Sequence, residues 1–99
     1  MAQRLTAADF HPHVAKVFRD RGGRHALTLH EVSEPALRES PHQTASNRPF
    51  TLIFRGPVGD VLPEGLRAFE VEGGGEFELY VMPIHTVARD RQDYQAVFN

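Results

Sequence analysis

The chain has 99 residues, a mass of 11.1 kDa and a formal net charge of −2. This length leaves room for one domain with a small core. It contains no cysteine, so a disulfide scaffold, a cysteine-based zinc module and a thiol nucleophile are excluded. A hydrophobic fraction of 40% at this low net charge argues against disorder. A pI near 6.3 provides no electrostatic footprint for nucleic acid.

The sequence shows no targeting or membrane segment. No apolar run of signal-peptide length follows residues 1–6, and the longest apolar cluster, residues 50–54, is far shorter than a membrane span. We therefore expect a soluble, cytoplasmic protein that has neither a membrane nor a nucleic acid as its partner.

The first half of the chain predicts a short helix followed by a hairpin. Thr6 is suited to cap the helix, and Pro12 limits it to about one or two turns. Residues 14–19 and 26–32 have the pattern of two strands. Gly22-Gly23 between them predicts the hairpin turn, because glycine accepts positive φ.

The second half predicts four more strands. A polar stretch, residues 33–49, is expected to be a long loop before residues 50–55, which are apolar on both faces and therefore indicate a central strand. The remaining strands are predicted at residues 67–72, 76–82 and 94–99, and Gly73-Gly74-Gly75 turns the chain between the first two.

Together these elements predict a mainly β fold in a single domain spanning residues 1–99. Six strands at hairpin spacing indicate an antiparallel meander that forms a small barrel or sandwich, with one short N-terminal helix. The expected core consists of inward-facing apolar residues: Phe18, Leu27, Leu29, Phe50, Leu52, Phe54, Phe69, Val71, Phe77, Leu79, Tyr94 and Phe98.

Carboxylates concentrate on one face of the hairpin around residues 73–75. Period-two alternation places Glu70, Glu72, Glu76 and Glu78 together on its outer face. They indicate either a solvated face tempered by Arg67 or by arginines of an adjacent strand, or a docking face for an Arg-rich partner.

Apolar residues also fall at positions predicted to face outward: Ile53, Tyr80, Met82 and Val97. Either the N-terminal helix and the 33–49 loop cover them, or they form a contact patch. An uncovered patch predicts dimerisation or assembly.

Chemistry-bearing motifs are scarce. His11, His13, His25 and His30 lack the spacing of a zinc site, and strand alternation is expected to send His30 and Glu31 to opposite faces. No serine lies in a G-x-S-x-G elbow, and no phosphate-binding loop is present. We therefore expect no catalytic residue, no metal and no cofactor.

Several stretches resemble a known family. They include residues 5–10, 27–32, 50–57 (Phe-Thr-Leu-Ile-Phe-Arg-Gly-Pro), 62–65 and 77–83, and the most specific is the C-terminal Tyr94-Gln95-Ala96-Val97-Phe98-Asn99. In these stretches the chain is similar to small uncharacterised bacterial proteins known as a domain of unknown function. The resemblance implies a single β-rich domain with no known activity, in a neighbourhood of phage-tail-like genes.

Two functions follow as hypotheses. The first is a non-enzymatic β-module mediating protein–protein contact, either as a homo-oligomer or as an accessory component of a larger, phage-tail-like assembly. Its predicted contact residues are Glu70, Glu72, Glu76, Glu78, Ile53, Tyr80 and Met82. The alternative is a small-ligand-binding barrel or minor enzyme with a pocket near Arg55, His30 and His85.

Overall fold

The computed structural model describes residues 5–34 and 49–98, so residues 35–48 of the predicted loop lie outside the described part of the chain. A short helix α1 (Ala7–Phe10) leads into a 3-10 turn (His11–His13). The strands are β1 (Val17–Asp20), β2 (Ala26–Ser33), β3 (Phe50–Gly56), β4 (Gly65–Val71), β5 (Gly75–Pro83) and β6 (Gln92–Phe98). The predicted mainly β chain of six antiparallel strands with one short N-terminal helix is confirmed.

The strands close into a barrel in the order β1-β2-β3-β6-β5-β4. This order departs from a meander because β3 pairs with β6, which makes β3 to β6 a Greek key. β3 and β4 stand on opposite sides of the barrel, so residues 57–64 cross one of its ends. The pairing of β1 with β4 then closes the wall.

The helix is short for the reason expected from the sequence. Thr6 caps it, and the backbone N–H of Thr6 donates a 2.7 Å hydrogen bond to the carboxylate of Asp9, which completes a capping box. Pro12 lies in the 3-10 turn that follows. Phe10, the last residue of the helix, is completely buried and anchors α1 to the barrel.

The first hairpin differs from the prediction in two details. β1 begins at Val17 rather than at residue 14, because Ala15 adopts a left-handed conformation with φ of 75°. Neither Gly22 nor Gly23 has positive φ, so that part of the prediction is wrong. Gly23 instead permits a close approach to Asp20, because a Cβ atom at this position would lie 3.1 Å from the Asp20 carboxylate. The same carboxylate accepts a 3.1 Å hydrogen bond from the N–H of Gly22.

A bulge interrupts β2 at His30. The register passes from Leu29 opposite Phe54 directly to Glu31 opposite Ile53, so His30 is the extra residue. The prediction that His30 and Glu31 lie on opposite faces is therefore wrong, and both side chains are exposed.

The interior of the barrel is filled by side chains. Every predicted core residue is buried except Phe77 and Phe98, which are partly buried and pack against the core. Aromatic rings meet across the interior, with Phe18 and Phe54 having centroids 5.1 Å apart. The buried set also includes residues outside the expected core list: Ala7, Phe10, Leu62, Val81 and Ala96.

The strands β5 and β6 have the fewest paired residues of any neighbours in the barrel. These strands pair only where Met82 faces Gln95 and Pro83 faces Tyr94. Beyond this stretch the strands are linked by Phe10, whose ring lies 4.8 Å from that of Phe77 on β5 and 5.7 Å from that of Phe98 on β6. Aromatic packing therefore replaces backbone pairing at this place.

Candidate functional site

The predicted acidic residues occupy the outside of the β4–β5 hairpin. Glu70 and Glu76 stand directly opposite each other, as expected for this hairpin, and both are exposed. Glu78 faces Ala68, and Glu72 lies in the turn itself. Like charges directly opposite each other are destabilising unless a cation intervenes.

Arg21 supplies that cation. Its guanidinium forms an ion pair with Glu76, and its Nε atom lies 4.0 Å from Oε2 of Glu70. The hydrogen bond to Glu76 is the main reason that the pKa of Arg21 is raised. Arg67, which was also expected to temper this face, does not do so, because it binds Asp20 at one end of the barrel.

Glu78 lies beside Glu76 on the outer face of β5. Within residues 5–34 and 49–98 it has no ion-pair partner. Its neighbour on the same face, Tyr80, donates a 2.5 Å hydrogen bond from its hydroxyl to Oε2 of Glu64, and this bond raises the pKa of Tyr80. Leu66 stands directly opposite Tyr80. Their exposed fractions are 62% and 47%, so the pair forms an apolar centre bordered by carboxylates.

We call this surface the β4–β5 face and define it by five residues: Glu64, Leu66, Glu76, Glu78 and Tyr80. Leu66 and Glu64 were not predicted as contact residues. Strand alternation places Leu66 on the outer side together with Glu70, and that pattern could have identified it.

Ile53 and Met82 lie on the adjoining part of the outer wall. Both face Gln95 of β6, one from β3 and the other from β5, and the side-chain amide of Gln95 lies 3.4 Å from the sulfur of Met82. Ile53 and Met82 are half-buried, whereas Val97 is 44% exposed. The helix α1 packs into the core through Phe10. The other predicted cover, the 33–49 loop, lies outside the described residues from residue 35 to residue 48.

Among residues 5–34 and 49–98, neither of the two described depressions is lined by Arg55, His30 or His85, the residues of the alternative pocket. Arg55 is half-buried on the wall between Thr28 and Asp93, while His30 and His85 are exposed. These open depressions, of about 360 and 380 Å³, lie along the β1–β4 seam instead. They are lined by Ala15, Lys16, Val17 and Glu72 and by Arg19, Glu70, Val71, Glu72 and Gly73.

A polar cluster at the barrel end was missed by the sequence reasoning. Asp20 is only 4% exposed, and its carboxylate lies 3.2 Å from Nη1 of Arg67. Arg67 also donates a 3.3 Å hydrogen bond to the carbonyl oxygen of Pro63. Strand alternation directs both side chains inward, Asp20 together with Phe18 and Arg67 together with Phe69. A buried carboxylate requires a cation or a hydrogen-bond donor as its partner, and Arg67 provides it for Asp20.

Asp60 forms a second, more exposed cluster beside it. Its two carboxylate oxygens accept hydrogen bonds of 3.1 and 3.0 Å from Arg24, and Nε2 of His25 lies 3.3 Å from Oδ1. The hydrogen bonding from Arg24 is the main reason that the pKa of Asp60 is lowered. Both clusters connect the first hairpin to the segment between β3 and β4 or to β4 itself, which is a structural role.

Among the described residues, no group of three or more histidine, aspartate or glutamate side chains could hold a metal ion. In that same part of the chain no helix is long and apolar enough to cross a membrane.

The fold and the site define a small, closed, antiparallel β-barrel with a filled interior and an acidic, apolar-centred outer face. The chain belongs to the family described as Domain of unknown function (DUF6916), which it matches over residues 5–98. The resemblance to a domain of unknown function is thereby confirmed. No curated protein and no solved structure matches the chain.

Proposed function

We propose that this domain is a non-enzymatic protein-contact module, working as a homo-oligomer or as an accessory component of a larger assembly such as a phage-tail-like one. The observation that carries the proposal is the β4–β5 face. An exposed aromatic and an exposed aliphatic residue form its centre, and carboxylates form its border. Tyrosine-containing apolar centres with polar rims are typical of protein interfaces.

The filled interior supports a function at the outer surface. Leu29, Leu52 and Phe54 are completely buried and occupy the space in which a wider barrel would bind a small molecule. The two described depressions lie on the outside of the barrel and are open to solvent.

The charge of the β4–β5 face favours a basic partner over a second copy of the same face. Contact between two such faces would bring Glu64 and Glu78 near their own copies without a compensating cation. Self-association is consequently expected to be heterologous, with the β4–β5 face of one chain against a different surface of the next.

The proposal is tested by disrupting the centre of the face. Light scattering on the purified chain reports its oligomeric state, and cross-linking in its native lysate identifies partners and the residues that contact them. The variant Leu66→Ser/Tyr80→Ser is expected to abolish the oligomer or the captured complex. Val87→Ser, which removes an 87% exposed valine elsewhere, is the matched control and should leave both intact. A monomer without any cross-linked partner, or equal loss in both variants, would contradict the proposal.

A further inference from the structure

The two edges of β5 are paired to very different extents. From Gly75 to Val81 the strand pairs with β4, but it pairs with β6 only at Met82 and Pro83. Within residues 5–34 and 49–98, the edge that faces β6 therefore has no strand paired with it from Gly75 to Val81.

Two hydrogen bonds establish which backbone groups point to that edge. The N–H of Arg21 donates to the carbonyl oxygen of Ala68 at 2.9 Å, so Ala68 directs its backbone groups away from β5. The N–H of Ile84 donates to the carbonyl oxygen of Asp93 at 3.0 Å, so Ile84 directs its own towards β6. Because successive residues of a strand alternate in direction, the edge towards β6 carries the N–H and C=O groups of Glu76, Glu78 and Tyr80.

The side chains around this edge are arranged in two layers. Glu76, Glu78 and Tyr80 are exposed on the outside. On the inside, Phe77 packs against the buried Phe10. An exposed strand edge with free backbone groups is a template for the addition of another strand.

We propose that the edge of β5 from Glu76 to Tyr80 accepts an extended segment of a partner protein as an additional strand, and that this segment alternates lysine or arginine with apolar residues. The inference rests on the proposed function and specifies the chemistry of the partner and its mode of docking. Backbone hydrogen bonds provide the attachment, and the alternating side chains provide the selection.

The carboxylates of Glu76 and Glu78 favour lysine or arginine at the facing positions of the partner segment. Side chains directly opposite each other across two strands lie on the same face, so residues opposite Glu76 and Glu78 join the outer carboxylates. Arg21 approaches Glu76 and Glu70 from the β1 side, where it compensates one of the two charges, and Glu78 has no cation beside it in the described residues. Partner residues that alternate with these point inward, towards the layer of Phe77, and there apolar side chains are favoured.

Amide hydrogen exchange on the free protein is the first test. The amides of Glu76, Glu78 and Tyr80 are expected to exchange at least ~10-fold faster than those of Phe77 and Leu79, which are directed towards β4. Equal protection of both sets in the free protein would overturn the proposal, because the edge would then already be occupied.

A synthetic heptapeptide that alternates arginine with valine is the probe for the second test. Its binding should slow exchange at Glu76, Glu78 and Tyr80 by at least ~10-fold and leave Leu79 unchanged. A version with glutamate in place of arginine should not bind. A version with alternate backbone amides N-methylated keeps the side chains but loses the hydrogen bonds, and it should lose at least ~10-fold in affinity.

A protein variant checks the charge selection. Glu78→Gln should weaken binding of the arginine peptide several-fold, while Glu31→Gln, at an exposed carboxylate on β2, should not. Equal affinity for the N-methylated peptide would exclude strand addition and leave the protein-contact function standing. If no peptide binds while cross-links still map to Leu66 and Tyr80, strand addition would likewise be excluded and the protein-contact function would stand. The absence of any partner or oligomer would instead overturn the proposed function.

Discussion

The backbone N–H of Leu62 donates a 2.8 Å hydrogen bond to the hydroxyl of Tyr94, and both residues are completely buried. Leu62 belongs to the segment that crosses the barrel end between β3 and β4, whereas Tyr94 belongs to β6. This bond therefore fastens the crossing segment to the opposite wall and satisfies a backbone donor that water cannot reach.

Removal of the Tyr94 hydroxyl should destabilise the barrel although only one oxygen atom is lost. Tyr94→Phe leaves the N–H of Leu62 buried without an acceptor, so we expect a loss of about 1–3 kcal/mol in the free energy of unfolding. Urea denaturation measures the change. Tyr80→Phe, which removes an exposed hydroxyl, serves as the control and should leave stability nearly unchanged. Equal changes in the free energy of unfolding for the two variants would show that the buried hydrogen bond stabilises the protein no more than the exposed one.

Ala15 predicts a substitution that stabilises the protein. It is exposed and has φ of 75°, a conformation that disfavours every residue with a Cβ atom. Ala15→Gly should therefore raise the free energy of unfolding by up to about 1 kcal/mol, after the extra freedom of glycine in the unfolded chain is deducted. Ala8→Gly, in the helix, should lower it by about 0.5–1 kcal/mol. A lower thermal midpoint for Ala15→Gly would refute the assigned conformation.

The Asp60 cluster predicts a defined acid response. Hydrogen bonding from Arg24 holds the pKa of Asp60 below its ordinary value of 3.8, so ionised Asp60 stabilises the folded state. A carboxyl whose pKa is lower in the folded state contributes its full stability above the unfolded pKa and loses it as the pH falls through the folded pKa. The wild-type thermal midpoint should thus exceed that of Asp60→Asn by a constant amount above roughly pH 5, and the difference should vanish in acid. Asp90→Asn, at an exposed loop position, should show no such convergence.

The glutamates of the β4–β5 hairpin should respond differently to neutralisation. Glu76→Gln removes the partner of Arg21 and should lower the thermal midpoint slightly, with an effect that shrinks at high salt. Glu78→Gln removes a charge that no described cation compensates, so the midpoint should stay equal or rise. Thermal unfolding at low and high ionic strength compares the two variants. A clear loss of stability in Glu78→Gln would show that this carboxylate has a structural partner.

The period-two pattern predicted most of the barrel wall because burial follows it closely. Phe50, Leu52 and Phe54 are buried, and the residues between them are half-buried, as a central strand requires. The same rule placed the glutamates outside. It would also have placed Arg67 with Phe69 on the inner side, and so excluded it as the cation of the acidic face.

The strand order could not be read from the same pattern. A short, turn-like segment joins β3 to β4, and such a segment fits a hairpin as well as it fits a crossing. What distinguishes the two is a tertiary contact, the burial of Leu62 beneath the hydroxyl of Tyr94. The bulge at His30, by contrast, does show in the local pattern, because the inward apolar positions move from Leu27 and Leu29 to Val32 across it.

The pairing of β1 with β4 has a consequence for biosynthesis. β1 is synthesised before the other five strands, but it can pair with β4 only after residues 69–71 have been synthesised. Until then the apolar side of the first hairpin, with Phe18 and Leu27, stays open to water and to other chains. The chain loses conformational entropy when β1 and β4 are brought together, before their contacts stabilise the barrel. Folding is therefore expected to take roughly milliseconds to seconds. A nascent chain stalled before β4 is consequently the form of this protein most exposed to aggregation and to chaperones.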